Sequence, residues 1–275
     1  MTFIGSCRQT SRYGGGTEIN VAIVTIDEPF YTPTVIGTLI RNSPPDIKYV
    51  CIILVPSRPK KMSEMSFILN QIKVFGLSQF TKVASLYVIR KFVSIISSKE
   101  YSVPKVARTN NVKMVKTSSL KSENILRELK MLSLDVIISV GSSRIFGKSI
   151  LSIPRLGCLN VHAGMLPRYR GINPSFWVLL NQEKNSAVTV HYVNEEIDDG
   201  EIIQQDVFEI QGITRLHDIY LKVTEIAPKT IIKSLIAIRN DSVRTTRNEQ
   251  SFSTYYSFPT KQDGEKFRRL GLSYM

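Results

Sequence analysis

Asn160 and His162 stand two residues apart in the run Leu159-Asn160-Val161-His162, so on a β-strand both side chains project from one face. The first is an amide with two fixed donors, and the second is the side chain whose protonation is most easily tuned near neutral pH. A carboxylate follows in Ile197-Asp198-Asp199-Gly200, where the Asp-Gly pair marks a turn. Amide, imidazole and carboxylate together could polarise a carbonyl. A tetrahedral intermediate places negative charge on the former carbonyl oxygen, and an amide donor plus an imidazolium stabilise it. The carboxylate would orient the imidazole and raise its pKa. No serine or cysteine in these runs is paired with a base, so a covalent acyl-enzyme is not indicated. Direct attack by a substrate amine on a bound carbonyl donor needs no protein nucleophile. Residue by residue, blander readings stay open: Asn160 a turn amide, His162 a core histidine, Asp198 a hairpin residue.

Two other chemistries are weaker. The run Gly141-Ser-Ser-Arg-Ile-Phe-Gly147-Lys148-Ser149 follows an apolar strand and opens a helix, as a phosphate-cradling P-loop does. A P-loop has four residues between its glycines and this run has five, which changes how the backbone N–H groups converge. Its position at the carboxyl end of a strand still suits a small-molecule contact by Arg144 and Ile145. His162, His191 and Asp198 are metal-ligand types, but no His-x-x-x-His or Glu-x-x-His spacing joins them. No metal is expected, and His191, mid-strand, reads as structural.

The elements that must hold these residues follow an α/β rhythm. Residues 20–26 and 49–55 are compact apolar runs suited to buried parallel strands. Pro33 can open the helix between them, 34–41, since a first-turn proline loses no needed hydrogen bond. Strand, helix, strand at this spacing argues for βαβ units and a parallel sheet. After an interruption the pattern resumes. Ser122 is placed to cap a helix running to Leu132, 135–140 is a buried strand, 149–153 a short helix stopped by Pro154, and 156–162 the strand carrying Asn160 and His162. Residues 187–193 and 202–210 flank the Asp-Gly turn as two strands with antiparallel character. Residues 216–238 carry a helical apolar stripe that would cover the sheet. The fold class is α/β, a Rossmann-like, mostly parallel twisted sheet with helices on both faces.

The interruption is 63–98. Its apolar residues recur at helical spacing (Phe67, Ile68, Ile72, Phe75, then Val83, Leu86, Tyr87, Ile89), with a break near Gly76. It reads as an insertion of two amphipathic helices, either packed on the body or presented to a membrane surface or partner. Residues 1–19 are polar with a Gly14-Gly15-Gly16 run and read as a flexible leader, 20–240 as the catalytic domain, and 241–275 as a basic tail that wraps the surface.

At 275 residues and 43% hydrophobic content the chain can bury a sizeable core. The net charge of +13 points to an anionic partner such as a nucleotide, a polyglutamylated or phosphorylated small molecule, RNA or a membrane surface; a solvated basic surface is the alternative. Three cysteines, Cys7, Cys51 and Cys158, form no Cys-x-x-Cys pair, which argues against a disulfide framework or zinc knuckle. The N-terminus has no apolar signal region, and no apolar run approaches the roughly 18–20 residues of a membrane span. A cytoplasmic location is the expectation.

Asn160-Val-His162, Leu166-Pro-Arg-Tyr-Arg-Gly171 and Glu196-Ile-Asp198-x-Gly200 together resemble the formyltetrahydrofolate-dependent formyltransferase family, which includes methionyl-tRNA, glycinamide ribonucleotide and sugar N-formyltransferases. The resemblance is strong over 135–205, weaker over the first strands and absent across 63–98. It implies a formyltransferase fold with Asn160, His162 and Asp198 as the catalytic set, Asp198 rather than Asp199 because it lies two residues before the glycine. It also implies N10-formyltetrahydrofolate as co-substrate, bound by Arg144, Ile145, Phe146, Glu196 and Ile197, and acceptor contacts at Arg168 and Arg170. Where a purine-pathway member has a Gly-Ser-Asn phosphate loop, this chain reads Thr25-Ile-Asp-Glu-Pro-Phe-Tyr-Thr, which disfavours that acceptor. The stretch after Asp198 is short for a tRNA-binding barrel, so a nucleotide-linked amino sugar or similar small amine ranks first and tRNA second. A folate-binding protein without turnover is the reading from another class.

Overall fold

Continuous apolar runs become the central strands. In a computed structural model that describes residues 18–57, 63–142 and 144–275, β1 (Ile19–Thr25) is buried on both faces apart from Asn20, as a strand covered by helices on two sides must be. It leads through a loop to α1 (Thr32–Asn42), whose Pro33 lies in the first turn, and then to β2 (Ile47–Leu54). The insertion follows as α2 (Glu64–Phe75) and α3 (Leu77–Ile96), broken at Gly76, whose φ is +83°. The chain returns through α4 (Val103–Thr109), β3 (Lys113–Lys116), α5 (Glu123–Lys130), β4 (Val136–Val140), α6 (Lys148–Leu151) and β5 (Cys158–His162). Ser122 occupies the N-cap position of α5 but makes no side-chain cap bond.

The remaining elements are β6 (Arg170–Gly171), α7 (Pro174–Leu180), β7 (Asn185–Tyr192), β8 (Ile202–Glu209), α8 (Leu216–Arg239), β9 (Tyr255–Tyr256) and α9 (Lys261–Arg269). The main sheet runs β3-β2-β1-β4-β5-β7-β8. Its first five strands are parallel, and β7 and β8 join antiparallel. Strand order reverses between β1 and β4, and the crevice outside the carboxyl ends at such a switch point is where open α/β sheets bind ligands. Two cores cover the faces. One gathers residues from α1, α7 and α8, among them Val35, Phe176, Leu216 and Ile231; the other gathers Ile125, Leu129, Phe146 and Ile150.

The segment after Asp241 departs from the expectation of a surface wrap. Phe267 is fully buried, stacks on Phe176 at 4.7 Å and meets Phe75 edge-on at 6.2 Å. Its basic neighbours hid one inward-facing aromatic on an otherwise polar helix. Gly264 allows α9 to lie against α2, since a Cβ there would stand 2.3 Å from the Val74 carbonyl oxygen. The expected leader at 1–19 lies almost wholly outside the described residues.

Candidate active site

β5 and β7 run side by side with Asn160 paired to His191 and His162 to Thr189. Asp198 arrives on the turn between β7 and β8, with φ +48°. That turn is tightly held. Gly200 packs so close to β7 that a Cβ would lie 1.9 Å from the Tyr192 carbonyl oxygen. Arg170 Nε donates to Ile197 O at 2.8 Å and its Nη1 reaches Asp199 at 3.1 Å. Asn248, from the tail, donates to Asp198 O at 2.9 Å.

The result is one carboxylate ringed by donors. Asp198 Oδ2 accepts the Gly171 N–H at 2.8 Å and lies 3.6 Å from His162 Nδ1. Asp198 Oδ1 accepts Asn160 Nδ2 at 3.2 Å and lies 3.6 Å from His191 Nε2. Burial alone would raise this carboxyl, but His162, His191 and the Gly171 amide outweigh it and hold the group well below the usual carboxylate range. Asp198 is therefore ionised.

Tautomers follow from fixed acceptors. His162 Nε2 is 2.7 Å from Tyr169 O, a carbonyl that can only accept, so Nε2 carries a proton. His191 Nδ1 is likewise 2.7 Å from Tyr192 O and carries a proton. Its other ring nitrogen, Nε2, lies 3.2 Å from Asn160 Nδ2. The imidazole of His162 behaves differently from expectation. Asp198 does raise its pKa, but burial, the larger effect, takes it below the ordinary histidine value. The resting ring is neutral because its site is nearly dry.

These groups face a cavity of about 630 Å³ that also reaches Ser142, Arg144, Ile145, Asn194, Glu196 and Ile197. Its size and mixed apolar and polar lining suit a small organic ligand. Of the expected folate contacts, Ile145 stands 66% exposed at the cavity while Phe146 is 3% exposed and anchors the loop in the second core. Arg144 donates to Pro56 O at 3.3 Å, tying that loop to the end of β2. Arg168 and Arg170, expected at the acceptor, are not on the cavity wall. Arg168 pairs with Glu183, and Arg170 is spent on the Asp198 turn. A positive charge beside a carboxylate or carbonyl found its partner within the chain.

His191 and Asn248 are the site residues that sequence reading missed. His191 belongs to the site through strand register, which local pattern does not reveal. Among the described residues, no group of three or more His, Cys, Asp or Glu is arranged to hold a metal ion, and no helix is long and apolar enough to cross a membrane.

The family model described as "Formyl transferase" matches residues 52–235, a span that runs through the 63–98 insertion. Methionyl-tRNA formyltransferase of Alkaliphilus oremlandii is 30% identical over 163 residues, covering 59% of this chain and 53% of the relative. That of Clostridioides difficile is 35% identical over 155 residues, covering 55% and 49%. The chain thus spans about half the length of the curated relatives it matches. Among solved structures, phosphoribosylglycinamide formyltransferase of Anaplasma phagocytophilum is similar at TM-score 0.58 and 14% identity, covering 88% of this chain and 100% of that one. An N-formyltransferase of Helicobacter canadensis, in complex with folinic acid and dTDP-3-aminofucose, is similar at TM-score 0.56 and 20% identity, covering 89% and 72%. These structural likenesses establish the fold.

Proposed function

Because the chain belongs to the formyl transferase family, matched over 52–235, we propose that it moves a formyl group from N10-formyltetrahydrofolate to the amine of a small acceptor, with Asn160, His162 and Asp198 at the reacting atoms. The observation that carries this reading is the Asp198 carboxylate held between Asn160 and His162 at the edge of a ligand-sized cavity. The donor folate supplies an activated formyl carbon. Its ring system fits against Ile145, Glu196 and Ile197, with Arg144 and Phe146 fixing the loop beneath.

The residues then handle one proton and one developing charge. As the amine forms its new bond to the formyl carbon, the carbonyl electron pair becomes an oxyanion. The amine's surplus proton passes to His162 Nδ1, where the Asp198 carboxylate 3.6 Å away stabilises the imidazolium so created. The same proton leaves with N10 when the old carbon–nitrogen bond breaks. Stabilising the oxyanion requires Asn160 to turn an amide hydrogen from its present contacts toward the cavity. A ring that begins neutral and ends the step charged is what a base with a depressed pKa provides.

A nucleotide-linked amino sugar or similar small amine is the first candidate acceptor, supported by the compact cavity. Initiator tRNA is the second, favoured by the methionyl-tRNA formyltransferases among the relatives and by the +13 charge. A formyl-transfer assay with amines and charged initiator tRNA separates the two. Asn160→Ala, His162→Ala and Asp198→Asn should each lower turnover by ~10²–10⁴-fold with folding retained. Near-normal turnover of His162→Ala would overturn the mechanism, and tight folate binding without transfer to any amine would favour a binding role.

A further inference from the structure

The cavity straddles the carboxyl edge of the sheet, and its two wings differ in chemistry. Phe146 belongs to one core; Val35 and Leu216 belong to the other, with Phe75, Tyr220 and Tyr274 packed against it. All of these line the same cavity. Under the formyl-transfer reading, on which this inference rests, the first wing takes the folate and the second is left for the acceptor.

In that second wing lies the start of α1. The exposed amides of a helix N-terminus ordinarily make a phosphate site. Here the chain fills it itself: Glu28 accepts the N–H groups of Phe30 at 2.7 Å, of Tyr31 at 2.8 Å, and of Thr32. The insertion locks this arrangement. Arg90 of α3 donates to the carbonyl oxygens of Pro29 and Phe30 at 3.2 and 3.3 Å and lies 4.8 Å over the Phe30 ring, while Lys91 pairs with Asp27. An incoming phosphate would meet a carboxylate and amides already spoken for.

Much of the remaining wall of this wing is aromatic. Tyr31, Tyr87, Tyr220 and Tyr274 line it with Phe67 and Phe75. Tyr31 Oη lies 2.7 Å from His217 Nδ1. Burial raises the phenols of Tyr31, Tyr220 and Tyr274, so they stay neutral and can donate. Among the described lining residues the carboxylates are Glu28, Glu196 and Asp198, and the sole lysine or arginine is Arg144, on the loop that the first core anchors.

We infer that the second wing recognises an amine carried on an uncharged ring, through aromatic stacking and hydrogen bonds, and that it engages no phosphate. If the acceptor is nucleotide-linked, its diphosphate stays outside the chamber and adds little to recognition. Aromatic side chains suit this role, giving broad contact area with a polar tip.

The test uses free 3-aminofucose, its dTDP-linked form, and inorganic phosphate. For wild type, kcat/KM for the free and linked amines should agree within about threefold, and Tyr87→Ala should raise KM for the amine by about fivefold or more without changing KM for the formyl donor. In ¹⁵N-labelled protein, phosphate should leave the Phe30, Tyr31 and Thr32 amides of wild type unmoved and shift them in Glu28→Ala. A preference for the linked amine above ~100-fold, or phosphate shifting those amides in wild type, overturns the inference. If no amine is formylated, the functional reading fails, while the amide shifts still decide whether the helix start is closed to phosphate. Should Glu28→Ala not fold, the wild-type titration decides it.

Discussion

Two tyrosines reach the cavity from two long helices, Tyr220 from α8 and Tyr87 from α3, and those helices are held in opposite ways. α8 buries Leu216, Ile219, Ala227, Ile231, Leu235 and Ile238 against the sheet. In α3 the one buried residue is Ser94, while Val88, Ile89, Phe92, Ile95 and Ile96 are each more than half exposed. α3 grips the body with its polar flank: Arg90 and Lys91 on the β1–α1 loop, and the Ser94 carbonyl accepting from Lys105 Nζ at 2.7 Å. One helix is part of the core, and the other is hung on it by charge and backbone.

The largest effect should come from the first. Ile231→Ala removes a fully buried side chain from the sheet's cover and should cost about 2–5 kcal/mol in chemical unfolding. A loss below ~1 kcal/mol would mean α8 is held no more firmly than α3, and the contrast would collapse.

Periodicity alone did not reveal this difference. Both helices show apolar residues at helical spacing, which identifies a helix but not what covers its apolar side. β1, β2 and β4 were legible because strands covered on both faces must be largely apolar, and β5 because Asn160 and His162 alternate with apolar residues. β3 (Lys113–Lys116) and α4 (Val103–Thr109) were not, since a four-residue edge strand framed by lysines carries little pattern. Asn160, His162 and Asp198 were legible through strand alternation, a turn and a family resemblance. His191, the Gly171 amide and Asn248 complete the same network through register and a distant tail, which local sequence does not encode. The burial that outweighs Asp198 at His162 is a property of packing, which local sequence does not carry.

That burial gives the core side a pH signature. A histidine whose folded pKa is depressed binds fewer protons when folded than when unfolded, so stability rises with pH across the gap. The contribution of His162 should be complete above its ordinary value of 6.5 and be lost as pH falls below it, toward its lower folded value. Thermal melts from neutral to mildly acidic pH should show this limb in wild type and a shallower one in His162→Asn. An identical slope in both would mean the burial of His162 carries no such penalty, and the two regions would respond to acid alike.

The smallest effect should come from α3, and it is the most pointed. Phe92 is 59% exposed, so Phe92→Ser gives up little buried area, and stability should change by no more than ~0.5 kcal/mol. Val88→Ser, on the neighbouring turn and 65% exposed, should behave the same way. Both variants should keep the amine KM of wild type, because Tyr87 and Arg90 point from other sides of the helix. A loss near that of Ile231→Ala would show that something covers this face in solution. The helix would then be a packed element like α8 rather than a strut. An unchanged melting temperature would leave α3 a helix whose polar side does the holding.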